Sequence, residues 1–300
     1  MSEQKALNVG PAGIEVAYER FGDPGAPPVV LVMGGGGQLI NWPVEFCAEL
    51  VAHGVQVIRF DNRDSGRSTH FHDAPVPDLQ AALAGDFSSV SYTLSDMAAD
   101  TVGLLDALGL GSAHVVGASL GGMIAQTMAI EHPDRVRSLT SMMSTTGDLG
   151  VGQPDFAVLA GVGAPPEDRQ GYVEWFVRAF RVAGSPGFPY DEAAAAERAR
   201  LAHERGLDPL GLRRQAVAAL ASGDRTARLR RLDVPTLVIH GAADLMCDIS
   251  GGRATAAAVP GAELVVVEGM GHDFPRGAWP RIIPPIARLV HRAEAAASRL

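Results

Sequence analysis

Two hydrophobic periods alternate along the chain. Residues 13–21 set Ile14, Val16 and Tyr18 against polar neighbours, which predicts an antiparallel strand exposed on one face. Residues 28–33 (PVVLVM) are apolar without a break, the pattern of a strand buried on both faces of a largely parallel sheet. Residues 55–60, 113–116, 136–142, 235–239 and 262–267 carry comparable runs and complete a set of six inner strands. Between them the period lengthens to that of helices. One runs to Gly54 with Asn41 as its cap and Pro43 in its first turn, and a second runs from a Ser95 cap to Gly109. A third covers residues 119–133 and a last one residues 279–297. Strands alternating with helices of this size specify an α/β fold, because parallel neighbours require crossover connections.

The rhythm breaks between residues 147 and 230. No strand pattern occurs there, and helices are predicted over 167–182, 191–205 and 208–222, with Gly/Pro breaks between them. An all-helical block between two sheet strands reads as a lid over the carboxyl edge of the sheet, where ligands bind in such folds. The expected organisation is a core of residues 1–146 and 231–300 with a helical lid (cap) of residues 147–230.

Composition narrows the possible partners. The 300 residues carry 25 Lys and Arg against 34 Asp and Glu, a net charge of −9, and Lys5 is the single lysine. An acidic chain without a basic run is a poor ligand for nucleic acid or anionic membranes. The N-terminal residues lack an apolar signal core and no stretch is long enough to span a bilayer, so a cytoplasmic protein is expected, acting as a monomer or homodimer. Cys47 and Cys247 are too few and too far apart for a disulfide framework and read as free thiols. The 35 glycines imply many tight turns, and several of these coincide with candidate chemistry.

The sharpest of them is Gly117-Ala118-Ser119-Leu120-Gly121, at the end of an apolar strand and the start of a helix. A strand that turns into a helix within a few residues holds its serine in a strained conformation above the sheet, and side chains at the two glycines would collide across the turn. A serine hydroxyl needs a base to take its proton, and the base needs an acid that fixes its tautomer. His272 follows the last strand in a Gly-bearing loop able to reach back to Ser119, and is the candidate base. Asp244 leaves the preceding strand through Gly241 and is the candidate acid, with Asp148 as the alternative. Asp273, next to His272, should point away from it. His240 and His114, at the ends of strands, read as structural, and His70 and His72 suggest no metal site on their own.

Acyl transfer also requires two donors for the developing oxyanion. The Leu120 N–H lies at the positive end of a helix, and the glycines from Gly34 to Gly37, after the first buried strand, let backbone approach a substrate, with Gly35 favoured among them. Met33, Trp42, Met143 and Phe274 at strand ends, with Trp175 in the helical block, are candidates for an apolar acyl pocket. Tyr172, Trp175 and Phe176 share one helical face, which serves equally for packing. No cofactor and no metal are expected.

Leu31-Val32-Met33-Gly34-Gly35, Trp42-Pro43, the run Asp61-Asn62-Arg63-Asp64-Ser65-Gly66-Arg67-Ser68, the Ser119 turn and Gly269-Met270-Gly271-His272 resemble the α/β-hydrolase superfamily, most closely the branch of aclacinomycin methylesterase and bacterial esterases and lipases. The resemblance implies an α/β-hydrolase fold and cofactor-free hydrolysis of a carboxylic ester, with Ser119, Asp244 and His272 as nucleophile, acid and base and Gly35 and Leu120 as oxyanion hole. The chain departs from most of that superfamily in having Met33-Gly34 for His-Gly, and the helical block does not match the branch. The expected activity is an acyl-enzyme esterase acting on apolar or bulky small molecules. Perhydrolase or haloperoxidase-like chemistry, C–C bond hydrolysis by the same residues, and a non-catalytic ligand-binding role are the alternatives.

Overall fold

Strands that are apolar on both faces need cover on both sides, and the fold supplies it. The computed structural model describes residues 2–298. These form one sheet of eight strands: β1 (Gln4–Val9), β2 (Ile14–Phe21), β3 (Pro28–Val32), β4 (Gln56–Phe60), β5 (Ala113–Ala118), β6 (Val136–Met142), β7 (Thr236–Gly241) and β8 (Glu263–Val267), in the order β1-β2-β4-β3-β5-β6-β7-β8. The pairs β1–β2 and β2–β4 are antiparallel and all others parallel. The helices are α1 (Val44–Ala52), α2 (Leu79–Leu83), α3 (Leu94–Ala107), α4 (Leu120–Glu131), α5 (Phe156–Ala160), α6 (Arg169–Ala183), α7 (Glu192–Arg205), α8 (Pro209–Ser222), α9 (Thr226–Leu229), α10 (Ile249–Ala258) and α11 (Trp279–Ala297).

Alternate residues of one strand go to opposite layers. Val30 and Val32 of β3 join the core built with α3 and α4, while Val29 and Leu31 join the one built with α1 and α11. Trp42 belongs to this second core. It is fully buried, stacked on Phe274 at 4.8 Å and tilted against Phe46, so it is part of the packing rather than a wall of an accessible pocket. Met143, 2% exposed, is interior in the same way.

Several local readings are corrected. β1 is additional to the predicted strands: only Ala6 and Val9 are buried in it and its register shifts between them, so its sequence shows no clean alternation. Helix α1 starts after Pro43, while Asn41 ends a short 3-10 turn and its Oδ1 accepts from the Gln38 N–H. Thr93, not Ser95, caps α3, because Thr93 and Asp96 form a reciprocal capping box; Ser95 instead donates to Glu131.

Within residues 147–230 the helices follow the expected order, with the short α5 and α9 added. Tyr172 and Phe176 of α6 pack on Ala195 and Ala199 of α7, with Trp175 partly buried beside them and its Nε1 donating to the Gly163 carbonyl. Helix α8 is fastened to the sheet side of the molecule. Arg214 grips Asp64 with two bonds of 2.8 and 3.0 Å, both side chains being buried, and a Cβ at Gly211 would stand 2.6 Å from the Asp64 carbonyl oxygen. No described helix is long and apolar enough to cross a membrane.

Candidate active site

The chain leaves β3 for β4 on one side and returns to β5 on the other, so the carboxyl ends of β3 and β5 frame the crevice at which a parallel sheet of this kind presents ligands. Ser119 stands there, one residue past β5 and one before α4, at φ 55 and ψ −123. So sharp a turn brings backbones into contact. A Cβ at Gly117 would lie 2.1 Å from the Gly121 carbonyl oxygen, and one at Gly121 the same distance from that of Val32. Glycine is therefore obligatory at both positions.

Asp244 and His272 emerge from the loops after β7 and β8. His272 Nε2 is 3.0 Å from Ser119 Oγ, and its Nδ1 is 2.8 and 3.0 Å from the two carboxylate oxygens of Asp244. Burial opposes ionisation of Asp244, yet the nearby His240 ring and the hydrogen bonds from His272 and the Cys247 N–H outweigh it and hold the carboxyl well below the usual range. Asp148 does not take part; its Oδ1 caps its own turn at the Gly150 N–H. Asp273 points away as expected, accepting from Ser185 Oγ.

The loop bearing His272 is stitched to the end of α6 and the residues that follow it. The His272 N–H donates to the Ala183 carbonyl at 2.9 Å, the Gly271 N–H to Ser185 Oγ at 2.9 Å, and the Gly187 N–H to the Gly269 carbonyl at 2.8 Å. A Cβ at Gly271 would stand 2.0 Å from the Gly184 carbonyl oxygen.

Residues 34–37 lie against Ser119 from the other side, where a Cβ on Gly34 would be 2.9 Å from that of Ser119. Asn62 Nδ2 braces the Met33 carbonyl at 2.8 Å, and Asp61 Oδ1 accepts from the Leu39 N–H at 2.6 Å. Among the described residues the Gly35 and Leu120 N–H groups have no protein acceptor, whereas the Gly36 N–H donates to Gln215 Oε1 at 2.8 Å. Met33 is 7% exposed; Phe274 is half-buried in the Trp42 stack, and Trp175 remains with the α6–α7 pair.

His70 shares a cluster with Asp64 and Asp208, with ligand-type atoms within 4.8 Å of one another. Arg214 binds both carboxylates, so a guanidinium already supplies the positive charge and the cluster does not suit a metal.

The family described as alpha/beta hydrolase fold matches residues 27–184, more than half of the chain. This protein belongs to the α/β hydrolases. Among relatives of this α/β hydrolase are the rhodomycin D methylesterases DnrP of Streptomyces peucetius, 30% identical, and DauP of Streptomyces sp. (strain C5), 31% identical, each over 86% of this chain and 88% of the relative. The solved esterase RhEst1 from Rhodococcus sp. ECU1013 shares its fold with a TM-score of 0.72 at 22% identity, over 97% of this chain and 99% of that one.

Two residues beside the candidate site were not singled out for it from the sequence: His240, read there as structural, and Gln215. His240, fully buried, donates from Nε2 to the Cys247 carbonyl at 2.7 Å and stands 3.5 Å from Asp244 Oδ2, behind the acid. Gln215 reaches the glycine turn from α8. The spacing from His240 to Asp244 is a weak signal that could have found the first; a lone amide in a helix offers none for the second.

Proposed function

We propose that this α/β hydrolase cleaves carboxylic esters through an acyl-enzyme formed on Ser119. The observation that carries the reading is the continuous line from Ser119 Oγ through His272 to Asp244, with contacts of 3.0 and 2.8 Å. His272 Nε2 accepts the hydroxyl proton as Oγ attacks the ester carbonyl, and returns it to the departing alcohol. Asp244 keeps the opposite ring nitrogen protonated and stabilises the imidazolium. The Gly35 and Leu120 N–H groups, free of protein acceptors, donate to the oxyanion. Water then repeats the attack with His272 as base and frees the acid.

Ester hydrolysis is supported by the methylesterase relatives, so methyl esters are the first substrates to test. Residues 147–230 serve as the cap over the site. Leu212 of α8, 44% exposed and lying beside Gly35 and Gly36, gives the entrance an apolar wall suited to apolar or bulky esters. Incubation with a fluorophosphonate should add one phosphonyl group per chain, and Ser119→Ala should lose both the adduct and the burst of p-nitrophenol from a chromogenic ester while keeping its circular dichroism spectrum. Hydrolysis by Ser119→Ala near the wild-type rate would overturn the assignment.

A further inference from the structure

The glycine turn that offers Gly35 has little of its own to hold its shape. Gly37 N–H donates to the Gly34 carbonyl at 3.0 Å and Gly36 has φ +63, the pattern of a type II turn with Gly35 and Gly36 at its centre. Turn types differ by rotation of the central peptide, here the one joining Gly35 to Gly36. In most turns side chains select the rotation; four successive glycines supply none.

The selection comes from α8. The N–H of the central peptide, that of Gly36, donates to Gln215 Oε1 at 2.8 Å. Gln215 is fully buried, and its Nε2 donates to the Arg63 carbonyl at 2.7 Å and to Ser65 Oγ at 3.0 Å. With the amide nitrogen facing a carbonyl, the oxygen must face Gly36, so the amide cannot turn over without losing its bonds to the Gly36 N–H and the Arg63 carbonyl. One turn earlier on the same face, Leu212 packs on the glycines, 3.3 and 3.2 Å from where side chains at Gly35 and Gly36 would begin. The Arg214–Asp64 pair fixes the height of the helix.

We propose that Gln215 is a positioning residue of the oxyanion site: it anchors the glycine turn at the Gly36 N–H, one peptide beyond the Gly34–Gly35 unit, and so holds in place the turn that carries the Gly35 N–H. The proposal rests on the reading of Gly35 as an oxyanion donor. It makes one donor of the site depend on a residue of the helical segment 147–230, so that seating α8 and completing the site are the same event.

The test uses the full chain and a p-nitrophenyl ester, with kcat referred to sites titrated to completion by a phosphonate. Gln215→Met should lower kcat by about tenfold or more, less than loss of a whole oxyanion donor, with KM within about twofold. Affinity for a trifluoromethyl ketone, which forms a tetrahedral adduct, should fall by the same factor. Gln215→Asn, a milder change whose oxygen no longer reaches Gly36, should fall in the same direction and keeps the test open should the Met variant fold poorly. Ser65→Ala removes a bond to Nε2 and leaves the one to Gly36, and should retain kcat within about twofold. Equal losses in Ser65→Ala and Gln215→Met, or unchanged kcat and ketone affinity in both Gln215 variants, would overturn the proposal. Gly35→Pro separates this from failure of the underlying reading, since proline suits the second position of such a turn and deletes the Gly35 N–H. If it spares activity, Gly35 is no donor; if it abolishes activity while the Gln215 variants do not, only the positioning role falls.

Discussion

Replacing Asp244 by asparagine changes one atom, and the structure dictates which. Asp244 Oδ1 accepts the N–H groups of Met246 and Cys247, both at 2.9 Å, while Oδ2 is 2.8 Å from His272 Nδ1. An amide NH2 placed at Oδ1 would face two backbone donors and leave them unsatisfied, at about 1–3 kcal/mol each. The NH2 group therefore takes the Oδ2 position and donates to His272 Nδ1. A ring that accepts at Nδ1 carries its proton on Nε2, the nitrogen facing Ser119, and can no longer take the hydroxyl proton. The expected loss in kcat is about 10⁴-fold, or about 5 kcal/mol of barrier. Steady-state hydrolysis of a p-nitrophenyl ester near neutral pH measures it. Asp244→Ala is the informative companion, since its imidazole is free to choose either tautomer and the near-isosteric asparagine should do no better than the truncation. The logic also has a stability side. A carboxyl held below its ordinary pKa stabilises the fold above about pH 4 and loses that contribution as the pH falls through its folded value. The deficit in Tm of Asp244→Asn should thus be full at neutral pH and shrink on acidification. An asparagine variant within tenfold of wild-type kcat, or a larger loss in Asp148→Asn, would refute the assignment.

Other substitutions probe the scaffold. Ser119→Gly should be inactive yet about 1 kcal/mol more stable in urea unfolding, because φ 55 with ψ −123 strains a residue bearing a Cβ more than glycine's added chain entropy costs; a lower stability would contradict the strain. Gly121→Ala sets a Cβ 2.1 Å from the Val32 carbonyl oxygen and should lower Tm sharply or yield no soluble protein, and a normal Tm would show that the crossing can open. Burial pushes the His114 pKa down to about 4, so between that value and about 6.5 the unfolded chain binds a proton that the folded one does not. Stability should fall on the order of 3 kcal/mol as the pH drops through this window, and His114→Asn should flatten the profile of unfolding free energy against pH; an unchanged slope would place the titration elsewhere.

The parts of the candidate site that could be read from the sequence are those whose chemistry is local. Ser119 sits in a five-residue pattern whose glycines are required by backbone contacts within the same turn, and Asp244 and His272 follow apolar strands whose ends all open on one edge. Gln215 was invisible because its partner Gly36 lies 179 positions away and nothing in an α8 helix face distinguishes an amide that locks a turn from one that meets water. Trp42 was misplaced for a related reason: an aromatic at a strand end suits a pocket and a core equally, and the choice falls to Phe46 and Phe274, which arrive from other elements. The cap of α3 was assigned to Ser95 although Thr93 suits it as well, and the Asp96 side chain decides for Thr93. The run from Asp61 to Ser68, buried except for Arg67, showed itself as a likeness to relatives; its physical work is to hold Leu39, Met33 and Arg214 in place.

The backbone bonds between residues 183–187 and 269–272 bear on engineering. A helical block between two strands invites exchange, since a cap from another member of the family could import a new substrate pocket. In this chain the exchanged piece would carry away the carbonyl of Ala183 and the hydroxyl of Ser185 that hold His272 and Gly271. Chimeras cut at residues 147 and 230 should therefore lose turnover whatever their new pocket binds. Grafts that retain residues 183–188 and Gln215, and replace only what lies between and before them, keep the host's His272 and its glycine turn anchored. The useful seams for recombination run through the cap rather than around it.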